Sequence, residues 1–126
     1  MPPPVLWWIK KDFRLADNPA LMAALASGET VLPVFVFEPA LLEAEETSAF
    51  HVAAWCEALG DLRQRLNAHC GDLLALHMGA IEALDRLHEA TGFTEMHSHE
   101  EIGTSVTYGR DRAVAAWCAD RGVAWH

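Results

Sequence analysis

A chain of 126 residues, 52% of them of hydrophobic types, has the size of one ordinary domain and enough apolar surface to build its own core. Nine Lys and Arg face eighteen Asp and Glu, and the formal net charge of −9 disfavours a phosphate backbone as a direct partner. The longest apolar runs fall far short of the roughly 18 residues that suggest a membrane span, and Met1-Pro2-Pro3-Pro4 lacks the basic and apolar regions of a signal peptide, so the expectation is a cytoplasmic protein with no membrane partner.

In chain order, Val5 to Ile9 is continuously apolar, the pattern of a central strand buried on both faces. Asp17-Asn18-Pro19 then supplies a capping side chain and a first-turn proline for a helix that ends near Ser27-Gly28. Val31 to Phe37 reads as the second strand. Val52, Trp55, Cys56, Leu59, Leu62 and Leu66, spaced at three and four, write a long helix with Thr47 or Ser48 as its cap. Leu73 to His77 is the third strand, and Ile81, Leu84, Leu87 and His88 mark a helix closed by Gly92. Thr94 to Ser98 is the fourth strand, and Val114, Trp117 and Cys118 lie on a last helix that stops at Gly122. Val123 to His126 reads as the opening of a fifth strand, truncated, in a chain cut inside a larger protein.

Strands alternating with helices across connections of a dozen residues or more specify right-handed parallel crossovers. The predicted fold is α/β: a doubly wound, Rossmann-like parallel sheet of five strands with helices on both faces. No internal boundary, repeat or linker divides the chain. Ligands of such sheets bind beyond the carboxyl ends of the strands, where the winding reverses. That rule selects Lys10 to Arg14, Glu38-Pro39 and His99 to Glu101, with the first and last of these facing each other.

No Gly-x-Gly-x-x-Gly follows a strand, and no phosphate loop, Gly-x-Ser-x-Gly elbow or His-Glu-x-x-His occurs. Cys56, Cys70 and Cys118 lack Cys-x-x-Cys spacing, which argues against a disulfide framework and a zinc ribbon. His97, His99, Glu100 and Glu101 allow a metal site or a hydrolytic acid and base, but a strand-face histidine beside a capping acidic loop accounts for them more simply, and no metal is expected. Glu43, Glu45 and Glu46 suit the positive end of a helix dipole. Trp7, Trp8, Trp55 and Trp117 fall on core faces, where packing explains them better than electron hopping.

Trp7-Trp8-Ile9-Lys10-Lys11-Asp12-Phe13-Arg14-Leu15-Ala16-Asp17-Asn18-Pro19-Ala20-Leu21 resembles the opening signature of the photolyase and cryptochrome family: an aromatic strand, a basic-Asp-x-Arg loop and Asp-Asn-x-Ala-Leu leading a helix. Val31 to Pro39 is similar to the family's second strand and its exit, and Tyr108-Gly109-Arg110-Asp111-Arg112 to the helix after the fourth strand. Ser98 to Gly103 is most similar to a bacterial cryptochrome-type branch. The resemblance implies an N-terminal α/β domain for a light-harvesting pigment. It also implies a following helical domain, absent from this chain, that holds FAD, carries the basic DNA-binding face and splits pyrimidine dimers or senses blue light.

A planar antenna pigment needs an aromatic or aliphatic slot with a few polar groups for its ring edge. The candidates are Lys11, Asp12, Phe13, Arg14, Phe37, Glu38, Phe50, His51, Glu100, Glu101 and Arg110. Structural readings stand beside them: an Asp12–Arg14 ion pair within its loop, and Arg110 paired with an acidic side chain of its own helix or of the loop after the fourth strand. Folate-binding members resemble one another in an Asn-Glu pair where this chain has Val106 and Thr107, so lumazine, deazaflavin or FMN is favoured over folate. Many members carry an arginine where this chain has Phe50. Expected partners are the FAD domain itself and a second copy through the unfinished sheet, with no direct DNA contact. The alternative is a nucleotide-binding or electron-carrier α/β domain completed by a partner chain.

Overall fold

The computed structural model describes residues 3–10, 18–26, 30–39, 49–68, 73–99 and 105–126. In chain order these form β1 (Val5–Ile9), α1 (Pro19–Ala26), β2 (Val31–Phe37), α2 (Ala49–Ala68), β3 (Leu74–His77), α3 (Ala80–Thr91), β4 (Glu95–His97), α4 (Ser105–Arg121) and β5 (Ala124–Trp125). The sheet order is β3-β2-β1-β4-β5, and every neighbouring pair is parallel. The predicted doubly wound α/β sheet is therefore the observed one. Winding runs outward from β1 through β2 to β3, then returns to β1's other side with β4.

Every residue of β1 is buried, as its unbroken apolar run requires. Its alternation divides the core in two. Leu6 and Trp8 join Val34, Val36 and Met96 beneath Leu84 and Leu87 of α3 and Val114 and Trp117 of α4. Trp7 and Ile9 join Phe35 on the other face, under Ala20 and Leu21 of α1 and Leu59 and Leu62 of α2. Pro33 is accommodated in β2 because pairing with β3 starts only at Val34, so its missing N–H removes no ladder bond on that side.

The sequence signals for helix ends operate as expected. Asn18 Oδ1 accepts the Leu21 backbone N–H at 3.0 Å, and Pro19 occupies the first helical position of α1. Gly92 and Gly122 follow α3 and α4 with φ of 68° and 71°, the left-handed region that glycine adopts at little cost. Thr47 and Ser48, the expected caps of α2, lie outside the described residues. β3 starts one residue later than expected: Leu73 is buried, and its carbonyl accepts from Arg63 Nη2 at 3.0 Å. Burial pushes the Cys118 thiol up to about 11, which keeps it protonated within the α4 face of the core.

Asp85 joins the two helices of that face. Its Oδ1 accepts from Trp117 Nε1–H at 2.9 Å and from Arg121 Nη2 at 3.0 Å, and these bonds hold its carboxyl below the usual value of 3.8. A depressed folded value means that the stabilisation is present above the unfolded chain's value and is lost as pH falls through the lower, folded one. Urea midpoints are therefore expected to favour the parent over Asp85→Asn at neutral pH and to converge well below pH 3.8. An advantage that persists in acid would refute this assignment.

Candidate functional site

The carboxyl ends of β1 and β4 lie side by side, as the winding requires. Leu6 and Trp7 pair with Met96 and His97, and His99 Nε2–H donates to Asn18 Oδ1 at 3.2 Å across the two exits. β1's alternation sends Trp8 and then Lys10 toward the α4 side. Lys10, 8% exposed, follows directly on the strand, and a buried ammonium needs compensation.

Compensation comes from a chain of charges over the sheet. Lys10 Nζ lies 3.0 Å from Asp111 Oδ1, and the same oxygen accepts from Arg110 Nε at 2.7 Å. Arg110 turns its Nη1 onto Glu38 Oε1, joining α4 to the exit of β2. Among the described residues two cations meet two anions, with side chains mostly withdrawn from water. Trp8 forms its floor, with Lys10 Nζ 4.4 Å and the Arg110 guanidinium carbon 5.0 Å from the ring centre. Trp125 of β5 stands 5.1 Å from Lys10 Nζ and 5.8 Å from the Trp8 ring. Among the described residues no buried side-chain nitrogen or oxygen is left without a partner.

Beside this cluster opens a cavity of about 330 Å³, lined by Glu38, Pro39, Gly79, Ala80, Ile81, Glu82, Arg110 and Ala113. Small-molecule pockets run from about 300 to 1,000 Å³. Its walls are the exit of β2, the first turn of α3 and one side of α4. Gly79 caps α3 without a side-chain hydrogen bond, and Gly79 to Glu82 of its first turn border that space. An aliphatic wall, one fixed arginine–carboxylate pair and helix N–H donors suit a flat ring with carbonyl oxygens along its edge.

The sequence-based candidates fall into three groups. Glu38 and Arg110 come together at the cavity. Phe37 packs on the other face, with its ring 4.8 Å from Phe35, because β2's alternation points it away from Glu38. Phe50 and His51 lie in the first turn of α2, their side chains beyond the description. Lys11, Asp12, Phe13, Arg14, Glu100 and Glu101 lie outside the described residues, as does any Asp12–Arg14 pair. Arg110 does pair with an acid of its own helix, Asp111, and additionally with Glu38 of the β2 exit.

Sequence reasoning took Lys10 only as the start of its loop and did not single out Asp111, Trp8 or the first turn of α3 for the site. The signal for Lys10 was its two-residue spacing from Trp8 on a strand buried on both faces. Beyond Lys10 and His99, the loops that would line the crevice expected between the β1 and β4 exits lie outside the described residues. The described cavity opens toward β2, because α3 starts from β3 and its N-terminus lies at that end of the sheet.

No helix among the described residues is long and apolar enough to cross a membrane. Residues 5–126 match the family model for DNA photolyase. Over 124 residues the chain is 31% identical to cryptochrome DASH of Natronomonas pharaonis, covering 93% of this chain and 26% of the relative. Among solved structures, a bacterial class III photolyase from Agrobacterium tumefaciens superimposes with a TM-score of 0.86 at 26% identity, over 99% of this chain and 25% of that one. An archaeal photolyase from Sulfolobus tokodaii, solved with two FAD molecules and described as implying a novel light-harvesting cofactor, matches with a TM-score of 0.86 at 24% identity, over 97% and 28%. The chain spans less than half the length of the curated relatives it matches first.

Proposed function

The chain belongs to the DNA photolyase family, and we propose that within it this α/β domain holds a light-harvesting pigment for a flavin bound elsewhere in the full protein. The observation that carries the reading is the cavity beyond the carboxyl end of β2, where the buried Glu38–Arg110 pair stands against an aliphatic wall. A lumazine, deazaflavin or FMN ring fits that chemistry: Arg110 and the N–H groups of α3's first turn donate to ring carbonyls, Glu38 holds the guanidinium in place, and Pro39, Ile81 and Ala113 exclude water from one ring face. Bound there, the pigment supplies absorption in the near ultraviolet and blue. Folate is disfavoured by Val106 and Thr107.

The remaining assignments follow from the same reading. FAD belongs to a helical domain in the part of the relatives beyond the matched quarter, with the chemistry of dimer splitting or light sensing. This domain docks on that one and leaves DNA to it, as an acidic surface of net charge −9 repels phosphates. A nucleotide-binding or electron-carrier role completed by a partner chain is the competing reading, and no described feature favours it over the pigment.

The test is optical. Each candidate pigment is mixed with the purified protein, free pigment is removed, and retained near-ultraviolet and blue absorbance is recorded for the parent and for Ile81→Trp, which fills the cavity. One equivalent retained by the parent and little by the variant is expected. Loss of every pigment on desalting would overturn the assignment, and so would equal retention by the variant.

A further inference from the structure

A second cluster lies at the other end of the sheet, and its residues take no part in the reading above. The parallel register of β4 and β5 sets Glu95 opposite Ala124 and Met96 opposite Trp125. His126 N–H donates to Met96 O at 2.9 Å and Ser98 N–H to His126 O at 3.2 Å, so the ladder continues and brings His97 beside His126. Glu95 and His97 are two apart on one strand and therefore project from the same face. Met96 and Trp125 belong to the core on the α3 and α4 side, which leaves these three side chains together on the opposite face.

Their ligand atoms converge. His97 Nε2 is 3.2 Å from Glu95 Oε2, His126 Nε2 is 3.6 Å from Glu95 Oε1, and one ligand atom from each of the three residues lies within 4.8 Å of the others. Ligands about 2.0–2.1 Å from a tetrahedral ion stand about 3.4 Å apart, close to both contacts of the carboxylate with the imidazoles. The imidazole rings of His97 and His126 stack at 4.6 Å with planes 21° apart. The His97 side chain is 8% exposed, that of Glu95 34% and that of His126 52%. One ligand is thus buried from below, while the most exposed one leaves a path for an ion to enter.

We propose that Glu95, His97 and His126 form a binding site for one divalent transition-metal ion of the zinc class, clipping β5 to β4. Two imidazoles and one carboxylate suit zinc, cobalt, nickel or copper rather than magnesium or calcium, and three protein ligands leave the remaining position to water. In the absence of an ion, Glu95 hydrogen-bonds His97 and faces His126 at 3.6 Å, and the ion replaces the proton between Glu95 and His97. The expected consequence is structural. β5 is two residues long, and an ion held across the two strands adds a cross-link where few ladder bonds exist.

Cobalt(II) is the probe. The full protein, stripped with a chelator, is titrated with Co²⁺ alone, and d–d bands in the visible are expected to saturate at one ion per chain and to vanish when Zn²⁺ is added. Glu95→Gln and His126→Ala alter partly exposed side chains, and circular dichroism verifies that they fold. Each is expected to weaken binding by about tenfold or more, since even outer-sphere partners of a metal ligand are worth 10- to 100-fold. His77→Ala, an exposed histidine of β3, is expected to bind as the parent does. Zn²⁺ is expected to raise the melting temperature of the parent and of His77→Ala and leave His126→Ala unchanged. Absence of the bands in the parent, or undiminished binding in both ligand variants, would overturn the proposal.

Discussion

Glu38→Ala is expected to cost about 3–5 kcal/mol of folding stability, the usual consequence of removing one partner from a buried ion pair. The Glu38 and Arg110 side chains are 7% and 9% exposed, so the substitution removes a buried partner from the guanidinium. Asp111 cannot substitute for it, because its Oδ1 already serves both Lys10 and Arg110. Among the described residues, Lys10 and Arg110 then share Asp111 above the Trp8 ring. Removing both members of the pair is a different matter: Glu38→Ala with Arg110→Met leaves Lys10 and Asp111 balanced and fills part of the vacated space with an apolar chain. Urea unfolding of the single and double variants, read as a double-mutant cycle, is expected to return most of the loss in the double variant. A single variant within about 1 kcal/mol of the parent would place the pair in the surface class, where ion pairs contribute that little.

Trp7→Ala is expected to bring the domain to the edge of unfolding. Trp7 is fully buried at the centre of β1, packed with Ile9 and Phe35 beneath α1 and α2. Its register partners are Pro33 in β2 and His97 in β4, so a void there is bounded by backbone on both sides. Phe or Trp truncations in cores cost about 3–5 kcal/mol because the surroundings relax only in part. Set against a typical total of about 5–15 kcal/mol, that loss leaves little. The urea midpoint is expected to fall steeply, whereas Met22→Ala, 60% exposed on α1, is expected to stay within about 0.5 kcal/mol of the parent. Similar midpoints for both variants would mean that the α1 and α2 face of the sheet is not the tightly packed core described.

The candidate site was half legible. Glu38 and Arg110 stand out because a strand exit and a helix start in this fold face the ligand end of the sheet. Their pairing is a separate fact, since 72 positions separate them in the chain and neither neighbourhood encodes the other. Phe37 shows the converse: adjacency to Glu38 made it a candidate, and the two-residue alternation of β2 turned it to the opposite core. Lys10 was visible only as part of a basic loop, yet its burial over Trp8 makes it part of the cluster's foundation. The histidines divided in a way no spacing rule predicts. His99 went to Asn18 of the α1 cap, while His97 found Glu95 and His126.

Composition, period and end signals by themselves determined the kind of element at each place, their order, the parallel sheet and the family signature. Those are local quantities: a continuous apolar run, a three-and-four spacing, a proline after a cap or a glycine past a helix carries its meaning within about a dozen residues. Only the tertiary structure decided which charges pair with one another, that a cavity opens beside the β2 exit, and that two histidines meet beside Glu95. Such contacts depend on strand register and on where each crossover helix sets down, and both are settled by the packing of the whole sheet.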